Sequence, residues 1–505
     1  MGSDFQRAFV VSDLHLGGED GFQMFSAGER FERFCENISR DICYENPTLL
    51  LINGDFVDFL AEPGARCWNP ARAKDWLREL FGRQAFEPVL NGLRRFLSCD
   101  GAQLTIVLGN HDLELALTEV TETLTGMLAN NDPLRRSRIE TIFDGCGYRF
   151  QVGNAKALAA HGNETDGNNF TRFDELRRIN YELRIHNESA FSDAWCPSAG
   201  AAFVVDAVNK VKRNLPFVDL LKPDEAAVSA IVTLAPQYLS LAQQLAEMKA
   251  ASIVNDLRRP ASELRFLSSG ADVGPSAKPD RLAIERRATE YVRNPNLSPD
   301  DLIYGDWEGT LGVGEWISRL SNSATDLANE GISWIDKAGN WVGDQVDQSK
   351  RKFQLRALRS ALHPYAAVNK LAQLSSSDED LLKMVKGSYD VVFAGHTHAR
   401  RFAQRRSPTS GKTLGWYINT GTWAGLMSVD HATLQNDDRF GELYDLLRQR
   451  DRNALQQSRW FRNECTVAVM QTGYAGCELS LKEVDEQGNL VDPELAGESN
   501  QAVIA

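Results

Sequence analysis

The stretch FVVSDLHLGGED, residues 9 to 20, decides how the chain is read. Three apolar residues run into Ser12, and Asp13 and His15 then stand two apart, just ahead of Gly17 and Gly18. An apolar run closing on a glycine pair predicts a strand that passes into a turn. Taken alone, the window fits a capping aspartate beside a surface histidine as well as it fits a ligand pair, because short motifs recur by chance. Four further runs change that balance. TLLLINGD (48–55) ends on Asp55, LTIVLGNHD (104–112) on Asn110, His111 and Asp112, KALAAHGN (156–163) reaches His161, and YDVVFAGHTH (389–398) ends on His396 and His398. Five of the eight histidines therefore follow a strand signal directly, as scattered surface histidines would not. His186, His363 and His431 have no partner at ligand spacing and read as ordinary surface or core residues.

In α/β folds the carboxyl ends of parallel strands converge on one edge of the sheet, so residues distant in sequence can meet there. The set Asp13, His15, Asp55, Asn110, His161, His396 and His398 mixes imidazoles, carboxylates and an amide. That mixture suits first-row transition ions, whereas a pure Mg²⁺ site draws on oxygen almost alone. Seven such ligands exceed the needs of one ion and suit two ions sharing a bridging carboxylate.

The ordered blocks DLH, GD, GNHD, HG and GHTH resemble those of the calcineurin-like metallophosphoesterase family, over residues 8 to 163 and from 388 to about 425. Within it, DLHL with GHTH is most similar to enzymes of the UDP-2,3-diacylglucosamine pyrophosphatase kind, to which this chain adds a large insertion. The resemblance implies an αββα sandwich. It implies Asp13, His15 and His398 on a first metal, Asn110, His161 and His396 on a second, and Asp55 between them. His111 would protonate the leaving oxygen, and Asp112 would either orient His111 or cap a helix. The implied cofactors are two divalent transition ions, manganese foremost, with Fe, Zn, Co or Ni as the others. The implied reaction is hydrolysis of a phosphodiester or pyrophosphate bond, in a small or lipid-linked substrate, by metal-activated water. An SbcD-like nuclease shares the blocks, and a non-catalytic binding module would keep the fold but usually loses ligands, none of which is missing here.

Composition narrows the choice. The chain has 505 residues, 43% of them hydrophobic and 25% charged, as a soluble globular protein would. Its net charge of -14 disfavours long nucleic acid, whose binding rests on neutralisation by Lys and Arg. No apolar run approaches the roughly 20 residues of a membrane span, and MGSDFQR lacks the order of a signal peptide, so the expected compartment is the cytoplasm. The eight cysteines form no CxxC pair and read as reduced, mostly buried thiols.

Strand and helix signals alternate up to about residue 163, fade into long amphipathic stretches from 164 to 387, and then return. The expected organisation is an α/β core of 1–163 and 388–485, an all-α cap of 164–387 inserted between two metal turns, and a flexible tail of 486–505. The first helix of that insertion offers Arg172, Arg177, Arg178 and Arg184 for a second phosphate, although such arginines more often form a solvated face. In residues 315–346, Trp316, Trp334 and Trp341 edge an apolar stripe. That face either packs within the cap or borders an acyl pocket or membrane interface, where tryptophan is favoured.

Overall fold

The computed structural model describes residues 3–167, 169–186, 195–222, 224–235, 343–363, 371–385, 387–407, 411–493 and 499–504. The chain divides into two compact units, the first formed by 1–205, 369–426 and 462–505, the second by 206–368 and 427–461.

Two sheets build the first unit. One runs β1 (Ser3–Phe5), β6 (Tyr148–Val152), β7 (Ala155–Ala159), β8 (Val391–Ala394), β10 (Thr413–Thr420) and β9 (Arg400–Arg406). The other runs β15 (Leu490–Val491), β14 (Gly476–Val484), β13 (Thr466–Gly473), β2 (Arg7–Val11), β3 (Thr48–Asn53), β4 (Ala102–Val107) and β5 (Ile139–Ile142), with β16 (Gln501–Ile504) also on β14. β11 (Leu426–Met427) and β12 (Phe461–Arg462) form a separate short ribbon.

Strand alternation dictates the layering. Ala8, Val10, Leu49 and Leu51 meet Phe150, Phe393 and Ile418 of the other sheet in one core. The intervening Phe9, Val11, Leu50 and Ile52 pack against Phe31, Leu77, Leu93 and Leu124. Those four side chains belong to helices α1 (Gly28–Ser39), α2 (Pro70–Phe81), α3 (Glu87–Leu97) and α4 (Thr118–Ala129). On the far side, Val392 and Tyr417 bury against Leu381 of the helix Ser376–Met384. The layers are therefore helix, sheet, sheet, helix. Covered on both faces, β2 and β3 read in sequence as unbroken apolar runs. β2 to β5 are mutually parallel, as are β7, β8 and β10, so the carboxyl ends of the ligand-bearing strands share one direction within each sheet.

Four expectations are corrected. Among the described residues from 164 to 387 the regular elements are helices, yet they divide between the units and do not form one cap. The helix Phe173–His186 belongs to the first unit: Leu176 and Ile179 complete its core, and Asn180 Nδ2 donates to Ala116 O at 2.7 Å. Conversely, the helices His431–Gln435, Asp437–Gln449 and Arg452–Gln456, expected in the α/β core, lie in the second unit. There Tyr444 Oη donates to Gln354 Oε1 at 2.6 Å, and buried Arg452 pairs with Asp219 at 2.9 Å. The end of the expected flexible tail is a strand, antiparallel to β14 from Cys477↔Ile504 to Ser480↔Gln501. Cys67 and Cys196, expected as thiols, are joined in a disulfide. Periodicity shows that a helix has an apolar face but not what covers it, and spacing in sequence says nothing of two cysteines brought together by packing. The Trp-edged stretch lies outside the described residues up to 342. No described helix is long and apolar enough to cross a membrane.

Candidate metal centre

Each sequence-predicted ligand follows a strand: Asp13 and His15 follow β2, Asp55 follows β3, Asn110 follows β4, His161 follows β7, and His396 and His398 follow β8. The backbone there is unusual. Asp13, His15, Asp55, His396 and His398 have φ of 50° to 66°, and they are five of the nine non-glycine residues at positive φ among the described residues. Such conformations are costly outside glycine and persist where function and surroundings impose them. Two glycines make the approach possible. A Cβ on Gly54, whose φ is 89°, would stand 2.2 Å from His161 Nδ1, and a Cβ on Gly109 would stand 2.1 Å from Asp55 Oδ1. The glycine of one turn thus leaves room for a ligand of another.

The ligand atoms converge. His15 Nε2 is 3.0 Å from His398 Nε2, and His398 Nε2 is 3.3 Å from Asp13 Oδ1. His161 Nε2 is 3.2 Å and His15 Nε2 is 3.6 Å from Asp55 Oδ2. Two donors each about 2.1 Å from one ion sit roughly 3.0 Å apart at a right angle and 3.4 Å at the tetrahedral angle, so these spacings are those of neighbouring ligands. Three overlapping groups emerge: Asp13, His15 and His398; His15, Asp55 and His111; and Asp55, His161 and His396. The donor chemistry fits as well. Asn110 Oδ1 is buried with no hydrogen-bond partner, while His161 Nδ1–H donates to Asn53 O at 2.8 Å, so that Nε2, 3.2 Å from Asp55 Oδ2, is the nitrogen an ion would take. Orphaned buried polar atoms are rare in proteins and call for a partner, here a cation.

His111 stands beside this set. Its backbone N donates to Asp55 Oδ1 at 2.9 Å, and its Nδ1 lies 3.0 Å from Asp58 Oδ1. The other oxygen of Asp58 lies 3.2 Å from His15 Nδ1, so one buried carboxylate serves a ligand histidine and His111 together. Burial works against charge on Asp58, yet His111 and His15 hold it far below the ordinary carboxylate range. Burial likewise opposes charge on His111, but Asp58 and Asp55 raise it to about 9. At His161, Asp55 and Asp13 outweigh burial and raise the imidazole to about 10.

Asp112 acts on the backbone and does not cap the turn that follows it. Its carboxylate accepts the backbone N–H groups of Gly109 and Phe56, each at 2.8 Å, and no capping bond is made from it. It clamps the turn that carries Asn110 and His111 to the turn after Asp55. Burial, with Asp55 nearby, pushes its carboxyl up to about 7.

Sequence reasoning missed Asp58, although its place three residues after Asp55 in NGDFVD was a usable signal. It also missed Asn419, which donates to Gly395 O at 2.7 Å, and Thr422, whose hydroxyl donates to Asp13 O at 2.8 Å. Of the arginines weighed for a second phosphate, Arg172 pairs with Glu175 and Arg178 with Glu182, as a solvated face would.

No curated protein and no solved structure matches the chain. Residues 7–222 match the family model described as calcineurin-like phosphoesterase, a span that holds the turns of Asp13, Asp55, Asn110 and His161. Residues 7–222 are thus similar to the calcineurin-like phosphoesterases, and the clusters at the strand ends fit a metal-dependent hydrolase.

Proposed function

We propose that the protein hydrolyses a phosphodiester or pyrophosphate bond of a small or lipid-linked substrate with two divalent transition ions, manganese foremost. The observation that carries this reading is the convergence of the three overlapping Asp/His groups on the buried turns. In it Asp13, His15 and His398 hold one ion, Asn110, His161 and His396 the other, and Asp55 is shared. Bound there, the ions would acidify a water and offset the charge gathered on the phosphoryl oxygens. His111, fixed by Asp58 through Nδ1, donates its other ring proton to the departing oxygen, a contribution typically worth about 10² to 10⁴ in rate. The acidic chain favours a small or lipid-linked substrate over long nucleic acid, and the DLHL and GHTH blocks favour a pyrophosphatase-like subgroup. Residues 315–346 are the part of the chain we assign to an acyl chain or membrane interface, and the cytoplasm is the compartment we assign.

The test is manganese reconstitution followed by assay on bis(p-nitrophenyl) phosphate, a nucleotide diphosphate-linked lipid and single-stranded DNA. Two ions per chain are expected, with activity on the first two substrates lost to chelator. His111→Ala should lower the rate by about 10² to 10⁴ while keeping both ions. Asp55→Ala should lose metal as well. Selective cleavage of the DNA, or equal metal loss in the two variants, would overturn the reading.

A further inference from the structure

The loop that follows His161 returns to the metal turns from another side. His396 Nε2 lies 2.8 Å from Asp166 Oδ2, an oxygen that also accepts Asn169 Nδ2 at 2.7 Å. The loop that presents this carboxylate is built from inside. Asp166 N donates to Asn163 O at 3.2 Å and Asn169 N to Asp166 O at 3.0 Å. The fully buried Asn163 donates from Nδ2 to Asn169 O at 3.1 Å and to Thr171 Oγ1 at 3.3 Å. Glu164 accepts the backbone N–H of Gly162 at 2.6 Å. His396 is equally constrained, because its backbone N donates to both oxygens of Asp13 at 3.0 Å and its ring lies 5.4 Å edge-on from that of His161.

We infer that Asp166 is a positioning residue of the second metal site, holding the His396 ring so that one nitrogen is committed to Asp166 and the other is left to the ion. This rests on the dinuclear reading above. An ionised carboxylate only accepts, so the nitrogen facing Asp166 is the N–H donor, Nε2, and the lone pair resides on Nδ1. The arrangement repeats what the other ligand histidines show: His15 is held by Asp58 and His161 by Asn53 O. Outer partners of this kind fix tautomer and ring orientation, and their loss typically costs about 10- to 100-fold in metal affinity. The loop from His161 to Asn169 therefore supplies the second ion with a ligand and also sets another ligand that arrives from β8.

Stepwise Mn²⁺ titration of the full chain by calorimetry, with bound metal counted after dialysis, tests this without recourse to activity. Asp166→Ala should leave the first ion bound as in the unaltered protein and weaken the second by about 10- to 100-fold. Asp166→Asn keeps an acceptor oxygen and should recover a substantial part of that loss. Should Asp166→Ala fail to fold by circular dichroism, Asn169→Ala removes only the bond that steadies Asp166 and should weaken the same ion by less. Unchanged affinity for the second ion in the folded Asp166→Ala or Asn169→Ala protein overturns the inference. So does equal loss in Asp166→Ala and Asp166→Asn, which would make Asp166 a charge partner or ligand of the ion and not a support for His396. An unaltered protein that takes up only one ion overturns instead the dinuclear reading beneath.

Discussion

Asp58 shows how a single carboxylate gives two histidines different work. Both donate to it from Nδ1, but His15 turns Nε2 toward His398 and Asp55, whereas His111 lies at the rim of the set. The same electrostatics make the site sensitive to pH. His111 and His161 titrate in the metal-free chain at about 9 and about 10, above their ordinary value of 6.5. A raised folded-state value means that the stabilisation is complete below the unfolded value and disappears as pH climbs through the folded one. The melting temperature of metal-free protein should accordingly fall between about pH 7 and about pH 10. Metal competes for the same lone pair at His161 Nε2, so uptake must expel that proton and apparent affinity should rise over this range. Calorimetry in buffers of differing ionisation enthalpy reads the proton directly. Uptake with no proton released would mean that His161 is already neutral or is not a ligand.

At the scale of the element, the working unit is a strand followed by a turn in which a glycine yields space to a ligand from elsewhere. Gly54→Ala would drive a Cβ against the His161 ring, at 2.2 Å from Nδ1, in a backbone at φ 89° that already penalises a side chain. Gly64→Ala serves as the control, since φ is 75° there but nothing lies within 4 Å of the added carbon. Both variants should lose about 1 to 2 kcal/mol of stability to the left-handed backbone. Only Gly54→Ala should also lose affinity for the second ion. Equal metal binding in the two would show that His161 tolerates the intrusion. Turns of this kind were legible in the sequence because ligand-type residues after apolar runs are a local signal, as in NGD, GNHD and GHTH. Asp166 and Asn419 were not, because their partners His396 and Gly395 lie 230 and 24 residues away and no local pattern marks them. The part played by Asp112 was equally hidden, since the amides it accepts, those of Gly109 and Phe56, are brought to it by how two turns meet.

Across the whole molecule, the alternation of strands and helices foretold the layered α/β unit, while the helical region could not be divided from sequence. The helix Phe173–His186 and the helices of 427–461 are all amphipathic or short, yet they go to different units because burial depends on which apolar face is near. The disulfide is the covalent counterpart of that division. Cys67 follows the loop of Asp58, and Cys196 follows the helix Phe173–His186, 129 residues later and within the same unit. Beside them Trp68 and Trp195 meet edge to face with centroids 4.9 Å apart, and Trp195 Nε1 donates to Glu175 Oε2 at 2.9 Å. A cross-link closing so long a loop restricts the unfolded chain and is typically worth about 2 to 4 kcal/mol. Cys196→Ser should therefore lower the urea midpoint by the equivalent of that loss, and added dithiol should do the same to the unaltered protein but not to the variant. Cys43→Ser, at an exposed free thiol, should change nothing. Thiol counting after denaturation under non-reducing conditions should find the six free cysteines, rising to all eight once dithiol is added. Finding eight before reduction would mean that the bond does not persist in the isolated protein, and the helix would then be held to the core by Leu176, Ile179 and the Asn180 bond to Ala116 O.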